Sequence, residues 1–326
     1  MSSAVERAVE RAVERAVVVT GVSSGIGAAA VRAALDGGAR VFGSVRTTSD
    51  AARAQAEFGE RFTPLVFDVT DAAAVSAAAE VVRAALAGRA LFGLVNNAGV
   101  ATPGPLLHQP FDEWRNVLEV NVLGVVRVLQ AFAPLVCGRA PGRIVNIGSV
   151  SGRVAWPMLS AYAASKHALE AVTDALRREM IVHGVDVIMV APGAVRTPIW
   201  EKARRRDMSR YDGTAYVDAL GRYGEFVDDS ERAGIPVEQV GALIWRALTT
   251  KRPRARYAPA PNPWVNALLP LLPRRWLDRI AARVIGLRPV ATAAQDVTIS
   301  RIPSAVRPSA TASEDKNAEN RCDRRS

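Results

Sequence analysis

Tyr162 and Lys166 stand four residues apart in Tyr-Ala-Ala-Ser-Lys, and Ser149 lies thirteen positions upstream of the tyrosine. On a helix, residues four apart share a face. An ammonium beside a phenol stabilises the phenolate and draws the tyrosine down from its ordinary value of about 10. A proton-transfer group works best when its pKa approaches the operating pH. These residue types at this spacing read as an acid/base pair, with the Ser149 hydroxyl holding a substrate oxygen. An isolated Tyr-x-x-x-Lys is usually only an exposed helix face, so the reading depends on its surroundings.

Those surroundings alternate between short apolar runs and amphipathic stretches. Strands are predicted over Ala16–Thr20, Arg40–Val45, Thr63–Phe67, Leu91–Val95, Arg143–Ile147 and Asp186–Val190. Between them, helices are predicted over Ile26–Asp36, Ala72–Leu86, Phe111–Ala133 and Ala161–Val182. Apolar strands alternating with helices imply a parallel sheet covered on both faces, a Rossmann-type doubly wound α/β fold in a single domain. Ligands of such a sheet bind beyond the carboxyl ends of its strands.

Chemistry-bearing residues fall at those ends. Thr20 to Gly27 joins the first strand to the first helix, with Gly21, Ser23, Ser24, Gly25, Ile26 and Gly27 in G-x-x-x-G-x-G spacing. Small residues let the backbone approach a pyrophosphate, and the helix N-terminus offers free N–H groups and a favourable dipole. After the second strand comes Arg46, where an acid binding the ribose hydroxyls of NAD would otherwise stand. A guanidinium suits the 2′-phosphate of NADP, so NADP(H) is favoured over NAD(H). Asp68 and Val69 close the third strand, where the carboxylate can accept from an adenine amino group. Asn96, Asn97, Ala98 and Gly99 close the fourth, on the ribose side.

Taken together, residues 16 to about 250 resemble the single-domain branch of the short-chain dehydrogenase/reductase family. The resemblance rests on Thr20 to Gly27, Asp68, Asn96 to Gly99, Asn121 in Asn-Val-Leu-Gly, Ser149, Tyr162 with Lys166, and Pro192-Gly193 followed by Thr197. It implies direct hydride transfer between the nicotinamide and a substrate carbon, interconverting an alcohol and a carbonyl without a metal. Tyr162 is then the acid/base, Lys166 also binds the nicotinamide ribose, Ser149 positions the carbonyl oxygen and Asn121 holds a water of the proton relay. Pro192, Gly193, Val195 and Thr197 embrace the nicotinamide carboxamide. The resemblance further implies a homodimer or homotetramer built through the Ala161–Val182 helix and the helix before it. Phe-Gly-Ser-Val-Arg at 42–46 and the C-terminal Trp/Leu/Arg-rich segment are similar to retinol and 17β-hydroxysteroid dehydrogenase-like members. Ser24 stands where some NADP-dependent members carry a base, and Gly148 where many have serine.

The remaining chain narrows the substrate and the setting. Val150, Val154, Ala155, Trp156, Pro157 and Met158, with Ile199 and Trp200, suggest a pocket for a small apolar alcohol or carbonyl of retinoid-, steroid- or lipid-like character. Residues 197–235 read as a charged, irregular stretch forming a helical lid insertion. Val237–Thr249 reads as a helix and Arg256–Pro259 as a weak last strand. Residues 1–15 repeat Ala-Val-Glu-Arg and read as a frayed leader; residues 290–326 read as a disordered tail. The 16–260 domain is followed by a basic Trp/Leu-rich extension over 261–289.

The net charge of +10 is concentrated in Lys251 to Arg288 and in Arg204 to Arg206, without the aromatic spacing or motifs of a nucleic-acid binder. Two distant cysteines give no disulfide framework, His108, His167 and His183 have no ligand spacing, and no metal is expected. No run approaches the ~18 apolar residues of a membrane span, so a cytoplasmic enzyme is expected. Trp264 and Trp276 among arginines allow weak membrane-surface contact, interrupted by Pro263, Pro270 and Pro273. Two rival readings remain: a non-catalytic NADP(H)-binding regulator, which would not need the proton-relay set, and a peripheral membrane-associated protein.

Overall fold

The computed structural model of the protein describes residues 15–137, 142–197 and 207–289. Among them, seven strands form one sheet: β1 (Ala16–Val19), β2 (Arg40–Val45), β3 (Phe62–Val66), β4 (Gly93–Asn96), β5 (Gly142–Ile147), β6 (Val185–Val190) and β7 (Arg256–Tyr257). The order is β3-β2-β1-β4-β5-β6-β7, and every neighbouring pair runs parallel. The chain winds outward from β1 to β3, then returns to place β4 on the other side of β1. That reversal opens a crevice at the carboxyl ends of β1 and β4, the place where doubly wound sheets take their ligands.

The strands are apolar because both faces are covered. Val18, Phe42, Leu65, Leu94 and Ile144 face one helical layer, while Val17, Val19, Val41, Val95 and Val145 face the other. This is the period of two expected of a strand, with an apolar residue on each side. The first layer contains α3 (Ala72–Leu86), α5 (Gly124–Val136) and α6 (Ser160–Glu179); the second contains α1 (Gly25–Asp36), α2 (Thr48–Phe58) and α8 (Val237–Thr249). The Rossmann-type fold expected from the alternation is the fold observed.

Several elements depart from the sequence expectations. α2 was not anticipated, because Ala54 is its only buried residue and the periodic signal is correspondingly weak. Its start is nonetheless encoded: Thr47 accepts from the Asp50 N–H as a helix cap. The helix predicted from Phe111 is α4 (Phe111–Leu118) running into α5 through a π turn at Glu119–Leu123. Phe111–Val136 is long enough and, on average, apolar enough to cross a membrane, although polar residues interrupt it throughout. Here Val117, Asn121, Val125, Phe132 and Val136 are buried in the protein, which accounts for the apolar character.

The expected helical lid contains α7 (Val217–Ala233), whose bounds the sequence did not mark. Its charged residues hide the short buried stripe of Ala219, Tyr223 and Val227. The C-terminal extension folds as α9 (Pro263–Leu268), a 3-10 turn and α10 (Arg274–Ile285). Ile285 and Leu287 pack with α7 rather than standing apart as a separate appendage. The repeat leader, the tail, Arg204 to Arg206, Ile199 and Trp200 lie outside the described residues.

Candidate active site

Tyr162 sits in the first turn of α6 and Lys166 one turn later. Ser149 lies two residues beyond the end of β5, so the strand end and the helix start bring the three together. The Ser149 hydroxyl hydrogen-bonds the Tyr162 phenol, and its Oγ accepts from the Ser151 N–H at 3.1 Å. Lys166 Nζ donates to the Ile147 carbonyl at 2.9 Å and lies 5.7 Å from the centre of the Tyr162 ring.

The electrostatics differ from the simple expectation of an ammonium lowering a phenol. Burial raises Tyr162 above its ordinary value, and the interaction opposing that rise is the Ser149 hydrogen bond. Burial also lowers Lys166 from 10.5 to about 8. Lys166 gives one of its three N–H donors to the Ile147 main-chain carbonyl. Tyr162, raised by burial, is therefore held protonated at neutral pH.

A buried polar lattice fixes α6 to the sheet. Asn96 Nδ2 donates to Asn146 Oδ1 at 2.8 Å, and Asn146 Nδ2 donates to Thr173 Oγ1 at 2.9 Å. Asn121 supplies a second tie. Its Oδ1 accepts from the Val100 N–H at 2.8 Å, and its Nδ2 donates to the Val100 carbonyl at 2.9 Å and to Ser165 Oγ at 3.0 Å. Ser165 in turn donates to the Tyr162 carbonyl at 2.7 Å. Both amide hydrogens of Asn121 are thus used within the protein, and the residue is completely buried.

The cofactor side assembles around the loop after β1. Gly21 and Gly25 adopt φ of 70° and 61°, a region that favours glycine. A Cβ at Gly27 would lie 2.2 Å from the Gly21 carbonyl oxygen and 2.5 Å from Asn97 Nδ2, so no other residue fits there unless the loop moves. Asn97 Nδ2 donates to the carbonyls of Thr20 and Gly21, each at 2.9 Å, while Thr20 Oγ1 accepts from the N–H groups of Asn97 and Ala98. Asn97 and Ala98 thereby act on the glycine loop. Ser44 Oγ accepts from the Gly21 N–H at 2.9 Å.

The N-terminus of α1 has no side-chain cap and no acid in its first turn. Its free N–H groups and positive dipole end suit a pyrophosphate. Arg46 is exposed beyond β2 and has no ion-pair partner among the described residues. Asp68 Oδ1 accepts from the Thr70 N–H and hydroxyl, which orients the carboxylate. Val69 is buried against Gly124. These features fit a dinucleotide with an extra phosphate at its adenosine end.

Beyond β6, Pro192 is buried and Gly193 and Thr197 are half-buried. Val195 bridges to Ile235, which ties this strand end to the chain just after α7. Opposite lies an apolar wall of Met158, Leu159, Ala219, Tyr223, Val227 and Ile285, with Tyr162 packed against it. Trp156 packs on Phe226 with ring centroids 5.5 Å apart. Val150 instead lines a small cavity towards α9, together with Arg153, Arg256 and Asn266.

The structure thus gathers the anticipated Tyr162, Lys166, Ser149 and Asn121 at one end of β5, and the glycine loop, Arg46, Asp68, Asn97 and Gly99 along the crevice. Sequence reasoning missed Ser44, Ser165 and Tyr223. Ser165 had a visible signal, since it lies inside the Tyr-Ala-Ala-Ser-Lys segment. Tyr223 had none, because α7 buries only a narrow stripe within a charged stretch whose helix bounds were not marked.

The model of the family described as short chain dehydrogenase matches residues 15–208. A relative described as NADPH-dependent 3-dehydrocapnine reductase, from Ornithobacterium rhinotracheale, is 41% identical over 248 residues, covering 74% of this chain and 87% of the relative. Retinol dehydrogenase 5 of Mus musculus is 35% identical over 272 residues, covering 76% of this chain and 81% of its own length. A crystal structure of a short chain dehydrogenase from Burkholderia cenocepacia J2315 in complex with NADP superimposes with a TM-score of 0.63 at 25% identity, covering 85% of this chain and 98% of that one. The protein belongs to the short-chain dehydrogenase family. It is an oxidoreductase that interconverts an alcohol and a carbonyl with a nicotinamide cofactor.

Proposed function

We propose that the protein reduces an apolar, lipid-like ketone or aldehyde with NADPH. The observation that carries this reading is the state of Tyr162: a partly buried side chain whose phenol is kept protonated by desolvation, bonded to Ser149 and packed against apolar side chains. Reduction needs a proton donor beside the carbonyl oxygen, and a protonated phenol against an apolar wall is ready to act as one. The reductase and retinol dehydrogenase relatives support both the reaction and the apolar substrate class.

In this reading Ser149 and Tyr162 both hydrogen-bond the substrate oxygen, and Tyr162 Oη passes its proton as the alkoxide forms. The bound nicotinamide supplies the hydride. Lys166, cationic below about pH 8, stays on the Ile147 carbonyl while facing the ribose. Asn121 acts as a positioning residue through Ser165. Gly21, Ser23, Ser24, Gly25, Ile26 and Gly27 cradle the pyrophosphate, and Arg46 pairs with the 2′-phosphate. Pro192, Gly193, Val195 and Thr197 border the nicotinamide. A homodimer or homotetramer through α5 and α6 belongs to the same reading, supported by the exposed Phe111 and Leu123 on the long helix.

The test is NADPH oxidation against a panel of apolar ketones and aldehydes, with Tyr162→Phe alongside. Loss of about 10²–10⁴ in turnover with NADPH affinity retained is expected, the range typical of removing a general acid. Near-wild-type turnover by the variant would remove Tyr162 from the mechanism.

A further inference from the structure

We infer that α9, the 3-10 turn at Leu269–Leu271 and the start of α10 form a docking face for an anionic phospholipid bilayer. Trp264, Val265, Leu268, Leu271 and Trp276 lie within thirteen residues and are exposed at 80, 53, 60, 77 and 59%. Positions 264, 265, 268 and 271 follow helical spacing and share one side of the short helix and its continuation. An apolar cluster of this size left in water marks an interaction site. Tryptophan beside arginine is the pairing that suits a membrane interface, where the indole sits at headgroup depth and the guanidinium meets phosphate.

Charge selects the partner. Lys251 to Arg288 contains nine basic residues and a single acid, Asp278. Of those nine, Arg256 is the one with an ion-pair partner among the described residues, Glu170 at 3.0 Å. Arg274, Arg275, Arg279 and Arg283 are all exposed. A second copy of the chain would place this basic face against its equal, and like charges brought together oppose association. An anionic lipid surface complements it.

The face is joined to the chemistry. Ile285, at the far end of α10, is buried in the apolar wall beside Tyr162, and Leu287 packs there too. Asn266 on α9 lies near Gly193, next to the nicotinamide loop. The outer side of the segment thus meets lipid while its inner side completes the pocket, a route for a lipid-like substrate to leave the bilayer without crossing water. The docking itself does not depend on the proposed substrate class; the delivery role does.

The experiment uses the full chain with vesicles of phosphatidylcholine alone and with added phosphatidylglycerol, scored by flotation and by tryptophan emission. Deleting the segment would also remove Ile285 from the pocket, so point variants are preferable. Wild type should float with phosphatidylglycerol vesicles, shift its emission to the blue, and release at high salt. Trp264→Ser with Leu268→Ser, Leu271→Ser and Trp276→Ser should abolish flotation while turnover on a small water-soluble ketone persists. Arg274→Gln with Arg275→Gln should weaken binding about thirtyfold, roughly five- to sixfold per arginine. Wild type remaining unbound to anionic vesicles, or the apolar variant floating normally, would overturn the inference. So would light scattering showing that the apolar variant splits an oligomer, which would assign the face to a second copy. Turnover on the soluble ketone is read separately, so failure of the reductase reading cannot be mistaken for failure of docking.

Discussion

Asn121 Nδ2 donates to Ser165 Oγ at 3.0 Å, which joins the π turn of the long helix to the helix that carries Tyr162. Ser165 passes the connection on to the Tyr162 carbonyl. The π turn gives this geometry its reason, since such turns insert one extra residue and re-aim a side chain out of the regular helical ladder.

Replacing Asn121 with alanine removes three hydrogen bonds at once, two to Val100 and one to Ser165, and with the last the link to the Tyr162 carbonyl. Part-buried main-chain groups of Val100 and the buried Ser165 hydroxyl lose their partner, so Asn121→Ala is expected to lose about 2–4 kcal/mol of stability. Turnover should fall with little change in NADPH affinity. Urea unfolding and steady-state kinetics on one preparation would check both, and an unchanged urea midpoint would contradict the structural role.

Gly27 is held to its identity by contact. A methyl there meets the Gly21 carbonyl and Asn97 amide at distances no real contact tolerates. Gly27→Ala should cost about 1–3 kcal/mol through overpacking and weaken NADPH binding by displacing the loop. Equilibrium titration of NADPH fluorescence is the measurement. Undiminished affinity would mean that the loop relaxes without consequence.

Arg46 decides the cofactor in this reading. Arg46→Asp should lower NADPH affinity by about ten- to a hundredfold, the weight of one or two charge-assisted hydrogen bonds, and bring NADH to parity or better. Since Arg46 is exposed and has no ion-pair partner among the described residues, stability should hardly move. Parallel kinetics with the two cofactors test the point; an unaltered NADPH/NADH ratio would transfer selectivity elsewhere.

Lys166 makes stability depend on pH in a stated direction. Its pKa falls on folding from 10.5 to about 8. Between those values the unfolded chain holds a proton that the folded protein has released, so stability contributed here rises with pH. Below about pH 8 the folded protein carries the full penalty of a buried cation. In cofactor-free protein the urea midpoint should therefore climb between pH 8 and pH 10 by more in wild type than in Lys166→Met, an inactive variant that should be the more stable of the two at pH 7. Parallel curves for the two proteins would show that Lys166 is not the titrating group.

The sequence by itself determined the sheet and the identities at its strand ends. Valine-rich runs such as Ala16–Val19 and Val185–Val190 are legible because burial on both faces removes the polar half of a strand's pattern. Gly21, Gly25 and Gly27, with Tyr162 and Lys166, are legible because their chemistry is local, a turn in one case and a single helix face in the other. The tertiary structure alone decided what depends on distant residues meeting. It set Lys166 on the Ile147 carbonyl, gave Tyr162 its bond to Ser149, and committed Asn121 to Val100 and Ser165. It also brought Tyr223 and Ile285, from a charged lid and a basic tail segment, into one wall beside Tyr162. Neither stretch announces burial, since each helix hides only a narrow stripe, and a narrow stripe becomes visible only when the surface that covers it is in place.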